Sequence, residues 1–184
     1  MSPVTKSTFI EDLIRLNRLD KLGFGRLIFQ PGMEFGTRDK WWEDTGSRPT
    51  PHEGLDLCCF EDNSGRLVYL AGNTLVPVLY DGTLVNIFTD FLGESILLAH
   101  DFQDNGRNLH SIYAHTVPDK ALRRGSRVKA GEVIASTCPS KNKSMNPHLH
   151  LTVLWAPETA IATLDWATIN QADHVILCDP LDFL

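Results

Sequence analysis

From Val76 to Trp155 the chain runs in short apolar segments separated by turn residues, a texture suited to a β-sheet and useless to a helical bundle. Val76–Tyr80 and Thr83–Thr89 flank Asp81-Gly82, which predicts a hairpin, because Asp-Gly accepts the positive φ angles of a tight primed turn. Ser95–Phe102 and Leu109–Thr116 flank Asp104-Asn105-Gly106 as a second pair, and Arg127–Ser136 and His148–Trp155 read as further strands. Upstream, Thr8–Leu22 predicts a helix: Thr8 and Glu11 make a capping box, Ile10, Leu13, Ile14 and Leu22 recur at helical spacing, and Gly23 stands at the stop. The stretch from Gly23 to Pro51 is rich in Gly, Pro, Asp and Trp, lacks periodicity and reads as a long loop. The expected architecture is a mainly antiparallel sheet with helix at its ends.

A chain of 184 residues, 42% of them hydrophobic, buries enough surface for a core without disulfides or a structural metal. Any metal is then expected to be functional. Seventeen Lys and Arg against twenty-three Asp and Glu, with no basic run, exclude a nucleic-acid partner. Charges at Lys6, Glu11, Asp12, Arg15, Arg18, Asp20 and Lys21 leave no room for a signal-peptide apolar segment, and no later run is long enough to span a membrane. The expectation is a cytoplasmic protein, or a periplasmic or extracellular one if exported by another route or preceded by further sequence. Cys58 and Cys59 are adjacent, which suits neither a disulfide scaffold nor a zinc knuckle; on a strand one thiol would face the core and the other away, both reduced.

The seven histidines matter by placement. His148 and His150 stand two apart in a strand, so both imidazoles leave one face while Leu149, Leu151, Val153 and Trp155 leave the other. Alone, such a pair is equally well read as solvent-facing. His52 and Asp56 are four apart, roughly 13 Å in an extended strand, too far for one zinc unless the chain bends; Gly54 permits that bend. His115 shares strand parity with Tyr113, opposite Ile112 and Ala114. His100, His110 and His174 have no such context and are read as surface or core residues.

His52-x-x-x-Asp56, Tyr113-Ala114-His115 and His148-Leu149-His150 together resemble the three motifs of the M23 metallopeptidases of lysostaphin/LytM type. Gly72–Pro77, Asp81–Val85, Gly125–Ile134 and the closing Asp179-Pro180-x-x-Phe183-Leu184 fall in the family's order, so the resemblance covers 51–184. It implies a lysostaphin/LytM-type, barrel-sandwich-like antiparallel core at 51–184, with 1–50 an N-terminal helix and loop extension packed on it. It implies one zinc per chain held by His52, Asp56 and His150, with His115 and His148 as the catalytic pair beside the zinc-bound water. The implied activity is a zinc metalloendopeptidase acting on peptidoglycan cross-links, stem peptides or a related peptide; the alternative is an inactive M23-like binding or activator domain. The residues from Leu122 to Ile134 also resemble the hairpin of biotinyl and lipoyl carriers, which need no such metal constellation. Thr137–Asn146 carries Lys141 and Lys143 where the family tends to glycine, which implies a substrate acidic near the cut. Trp41-Trp42 could wall the groove or anchor the long loop.

Overall fold

The computed structural model describes residues 4–42, 46–140, 145–161, 164–172 and 174–184. In chain order its elements are α1 (Phe9–Asn17), β1 (Phe24–Ile28), β2 (Leu55–Leu57), β3 (Cys59–Asp62), β4 (Leu67–Tyr69), β5 (Leu75–Pro77), β6 (Gly82–Thr89), β7 (Glu94–Asp104), β8 (Arg107–Pro118), β9 (Arg127–Val128), β10 (Val133–Thr137), β11 (Leu149–Ala156), α2 (Glu158–Ile161) and β12 (Ile176–Cys178). A nine-stranded antiparallel sheet runs β12-β11-β8-β7-β6-β9, with β2 on β11, β10 on β8 and β5 on β10. These pairings form no ring among the described residues, so the expected lysostaphin-type antiparallel fold is present as an open sheet. A small second sheet, β1-β3-β4, stands beside it.

Alternation along β8 and β11 builds two apolar layers. Leu109 and Tyr113 face the main core with Leu98, Leu151 and Val153, whereas Ile112 faces a second cluster with Leu97, Leu154 and Ala156. Phe9 and Leu13 of α1 belong to the main core, and Asn17 pins the helix to β5 by accepting from Leu75 N at 2.7 Å and donating to Leu75 O at 2.9 Å.

Local chemistry departs from expectation in four places. The helix ends at Asn17, because Arg18 takes the left-handed region (φ 53°); Leu19–Leu22 then forms a separate 3-10 turn. Thr8 makes no capping bond to the backbone; its hydroxyl donates to Asp12 instead. The Asp81-Gly82 hairpin is absent: β5 pairs with β10, β6 with β7 and β9. Asp81 there accepts from Ala130 N, and Gly82 is needed because a Cβ would meet the Ala99 carbonyl oxygen at 2.5 Å. Finally, the stretch after Gly23 is not all loop, since Phe24–Ile28 pairs with β3. This cover buries both faces at Cys58 and Cys59 against Met33, so neither thiol faces solvent.

Candidate metal centre and catalytic cleft

A cleft of about 470 Å³ opens where the N-terminal ends of β2 and β11 meet the bulged part of β8, and its lining includes all five residues singled out by their spacing. His52 lies just before β2 and Asp56 within it. The bend at Gly54 has a steric reason, because a Cβ there would overlap the Leu151 carbonyl oxygen and crowd Thr152 and His150. Only glycine lets this segment lie against β11, where Asp56 comes directly opposite His150.

The three donor atoms converge. His150 Nδ1 lies 2.8 Å from Asp56 Oδ1 and 3.0 Å from His52 Nε2, and His52 Nε2 lies 3.4 Å from Asp56 Oδ1. A tetrahedron with zinc-to-ligand bonds of ~2.0–2.1 Å has edges of about 3.3 Å, so the set has the dimensions of three corners of such a site. The outer atoms are also occupied. His52 Nδ1 faces Glu34 O at 3.0 Å, His150 Nε2 faces Thr152 Oγ1 at 2.9 Å, and Asp56 Oδ2 accepts from Trp41 Nε1 at 2.6 Å. Each ring is thereby oriented with one nitrogen left for the centre. Burial opposes ionisation of Asp56, but hydrogen bonds from His150 and His52 outweigh it and hold the carboxyl well below its ordinary range. Burial pushes His150 down, against the pull of Asp56. These three residues form a buried group able to hold a metal ion.

His148 and His115 stand beside this group, with ring centroids 4.8 Å apart. His148 Nδ1 is held by Asn146 O at 3.0 Å, and burial lowers the ring to about 4. His115 arrives by a route that alternation does not foresee. His150 pairs with Ala114, so regular alternation would send His115 to the face of Tyr113, away from the cleft. Instead, β7 and β8 pair Glu94 with Thr116 and Ile96 with Tyr113, leaving Ala114 and His115 opposite Ser95 alone. This is a β-bulge, and His115 occupies it with φ 63°, a left-handed conformation costing a non-glycine residue about 1–2 kcal/mol. The bulge turns the imidazole into the cleft, 5.8 Å from the His150 ring.

Several residues of the site had no readable signal. Asp90, which accepts from both the backbone and ring of His115, sits in Asp90-Phe91-Leu92-Gly93, a turn by composition. Burial works against its ionisation, yet the hydrogen bonds from His115 hold it well below the carboxylate range. Trp166 packs against His150 with centroids 5.2 Å apart, and exposed Phe91 packs against His115 at 4.8 Å. Arg48 donates to the Gly32 and Asp39 carbonyls, lies 3.5 Å from Asp56 Oδ2 and stacks over Trp42. Trp41 anchors Asp56 and packs on His148, while Trp42 lines the cleft, so the two expectations for this pair divide between them. Lys141 and Lys143 lie outside the described residues. His100 and His110 are core residues and His174 is exposed.

Comparisons with known proteins bear on the family and the fold. The model of peptidase family M23 matches residues 51–162. Among solved structures, LytU is similar at 23% identity and a TM-score of 0.53, with 85% of this chain and 82% of that one covered. The catalytic domain of the antimicrobial peptidase lysostaphin from Staphylococcus simulans is similar at 20% identity and a TM-score of 0.54, over 84% of this chain and 91% of that one. At these identities the likeness is one of fold. No curated protein sequence matches the chain. With the family match spanning more than half of the sequence and taking in every histidine and aspartate of the three motifs, this chain belongs to peptidase family M23.

Proposed function

We propose that the chain is a zinc metalloendopeptidase whose substrate is a peptide of peptidoglycan, in a cross-link or a stem, or one related to it. The observation that carries this reading is the convergence of His52 Nε2, Asp56 Oδ1 and His150 Nδ1 at 2.8–3.4 Å, each with its outer atom already engaged. Two neutral imidazoles and one carboxylate are the donor set of a catalytic zinc, so His52, Asp56 and His150 are its ligands in this reading. When bound, zinc with three protein donors keeps one position open and acts as a Lewis acid toward water and a carbonyl.

The chain's own residues supply the rest. His115 and His148 each have Nδ1 engaged, by Asp90 and by Asn146, which leaves Nε2 of each to serve the cleft. One neutral Nε2 accepts the proton of the attacking water and hands it to the leaving amine; the other ring, whose Nδ1 also faces an acceptor, steadies the carbonyl oxygen as it becomes negative only when its Nε2 carries a proton as well. Trp42, Phe91, Met145 and Trp166 line the cleft with apolar surface and limit water there.

Metal content of the purified chain, measured beside hydrolysis of purified peptidoglycans of different cross-link chemistry, tests the reading. One zinc per chain and release of peptide ends from at least one cell-wall type are expected. A chain that holds zinc and binds peptidoglycan without cutting it would be a binding or activator domain. A chain without metal affinity overturns the ligand assignment.

A further inference from the structure

One carboxylate, Asp90, bridges the two sides of the bulge that delivers His115. Its Oδ2 accepts from His115 N at 2.9 Å and from Ser95 Oγ at 2.8 Å; Ser95 is the residue opposite the bulge. Its Oδ1 accepts from Leu92 N at 2.8 Å, Gly93 N at 2.7 Å and His115 Nδ1 at 3.1 Å. The Ser95 hydroxyl in turn accepts from Trp166 Nε1 at 2.9 Å, and that indole packs against His150. A continuous hydrogen-bonded path thus runs from the back of His115 to the ring packed on the candidate metal ligand.

Two consequences follow from this geometry. The left-handed backbone of His115 is held by the same side chain that holds its ring, so the carboxylate fixes both where the ring stands and how it is turned. With both oxygens occupied as acceptors, Asp90 has no position left for a proton, and the His115 nitrogen facing it must be the donor. His148 is held differently, by the neutral carbonyl of Asn146 two residues away on its own segment. A carboxylate behind an imidazole fixes its tautomer and supports the ring when it carries two protons, whereas a carbonyl gives less of that support.

We infer that Asp90 is a positioning residue that keeps His115 with its proton on Nδ1 and its Nε2 lone pair toward the cleft, and so makes His115, rather than His148, the proton acceptor. The inference rests on the peptidase reading for its role and on the hydrogen bonds alone for the tautomer. In the reaction, water gives a proton to His115 Nε2 as its oxygen bonds to the scissile carbonyl carbon. That proton passes to the amide nitrogen as the C–N bond breaks, and the ring ends as it began.

Nitrogen-15 NMR of the histidine rings and steady-state kinetics of Asp90→Asn, both on the zinc-loaded chain, test this. The wild-type spectrum is expected to show His115 protonated at Nδ1 and bare at Nε2. Asp90→Asn keeps an acceptor for the turn amides but places an NH2 group where His115 N and Ser95 donate. It is expected to lower kcat by about 10–100-fold, with KM within about twofold and zinc content unchanged. Ser95→Ala, which removes one support of Asp90 and leaves the turn intact, is expected to lower kcat by roughly 3–10-fold in the same pattern. A wild-type His115 protonated at Nε2 overturns the inference, whether or not the Asp90 variant folds. So does an Asp90→Asn enzyme with wild-type kcat, or one whose lost activity tracks lost zinc. A wild-type chain that binds zinc and cuts nothing sinks the functional reading, while the spectrum still decides what Asp90 does to the ring.

Discussion

Six of the seven histidines are buried, and they divide into two groups that burial alone does not separate. His52, His115, His148 and His150 converge on the cleft, while His100 on β7 and His110 on β8 lie inside the sheet. Burial lowers His148, His100 and His110 alike to about 4. A depressed histidine is therefore no sign of chemistry here. What differs is the company the rings keep. His100 is held by the Ser111 hydroxyl and the Asp81 carbonyl, whereas neither ring nitrogen of His110 makes a hydrogen bond among the described residues. In the cleft, His52 and His150 share Asp56, and His115 has Asp90. Open volume beside all four rings, and a carboxylate partner for every one but His148, distinguish the site from the core where burial does not.

The strongest way to break this contrast is His150→Ala. Zinc occupancy and peptide hydrolysis should fall together, hydrolysis by more than about 10³-fold, since the open-site chemistry goes with the metal. Elemental analysis beside turnover checks it, and full zinc occupancy in the variant would remove His150 from the ligand set.

The core pair should instead govern stability against pH. Both rings are held neutral in the fold, near 4, while the unfolded chain titrates near 6.5, so the unfolded state binds more protons between those values. Stability contributed by each ring is complete above about pH 6.5 and is lost as pH falls toward 4, about 3 kcal/mol per ring. Denaturant melts across that window measure the slope. His110→Leu, which removes a buried ring that makes no hydrogen bond among the described residues, should flatten the slope and leave stability at neutral pH equal or higher. An unchanged slope would mean His110 does not titrate on unfolding as described.

Smaller effects sharpen the division within the cleft. His115→Ala and His148→Ala should each lower turnover by roughly 10²-fold with zinc retained, the size of a general acid-base or oxyanion contribution. Metal loss in His148→Ala would exchange the roles of His148 and His150. The smallest effect belongs to Trp41→Phe, which keeps a ring against His148 but removes the 2.6 Å bond to Asp56 Oδ2. Zinc affinity, read by competition with a chelator, should weaken by about 10-fold; equal affinity would reduce Trp41 to packing.

Much of this was legible in residue spacing, and the failures share one cause. Period-two alternation located His148 and His150 with a core face behind them, and the demand for a bend located Gly54 between His52 and Asp56. The same alternation sent His115 to the wrong face, because a bulge is decided by how β7 and β8 register against each other. The Asp81-Gly82 hairpin failed likewise: its two segments found partners in β10 and β7 that lie far along the chain. Asp90, Arg48 and Trp166 had no local pattern to betray them, since each acts on a residue from another element.

The sequence by itself determined that the protein is a mainly antiparallel β-domain carrying an ordered set of three histidine motifs, because alternation and turn chemistry are local properties of a chain. Only the tertiary structure decided that donor atoms of His52, Asp56 and His150 come within 3.4 Å of one another with their outer atoms engaged, and that Asp90 bonds both the backbone and the ring of His115 beside them. Those facts depend on which strands pair and in what register, and pairing is settled by the burial of whole faces rather than by any residue's neighbours in sequence.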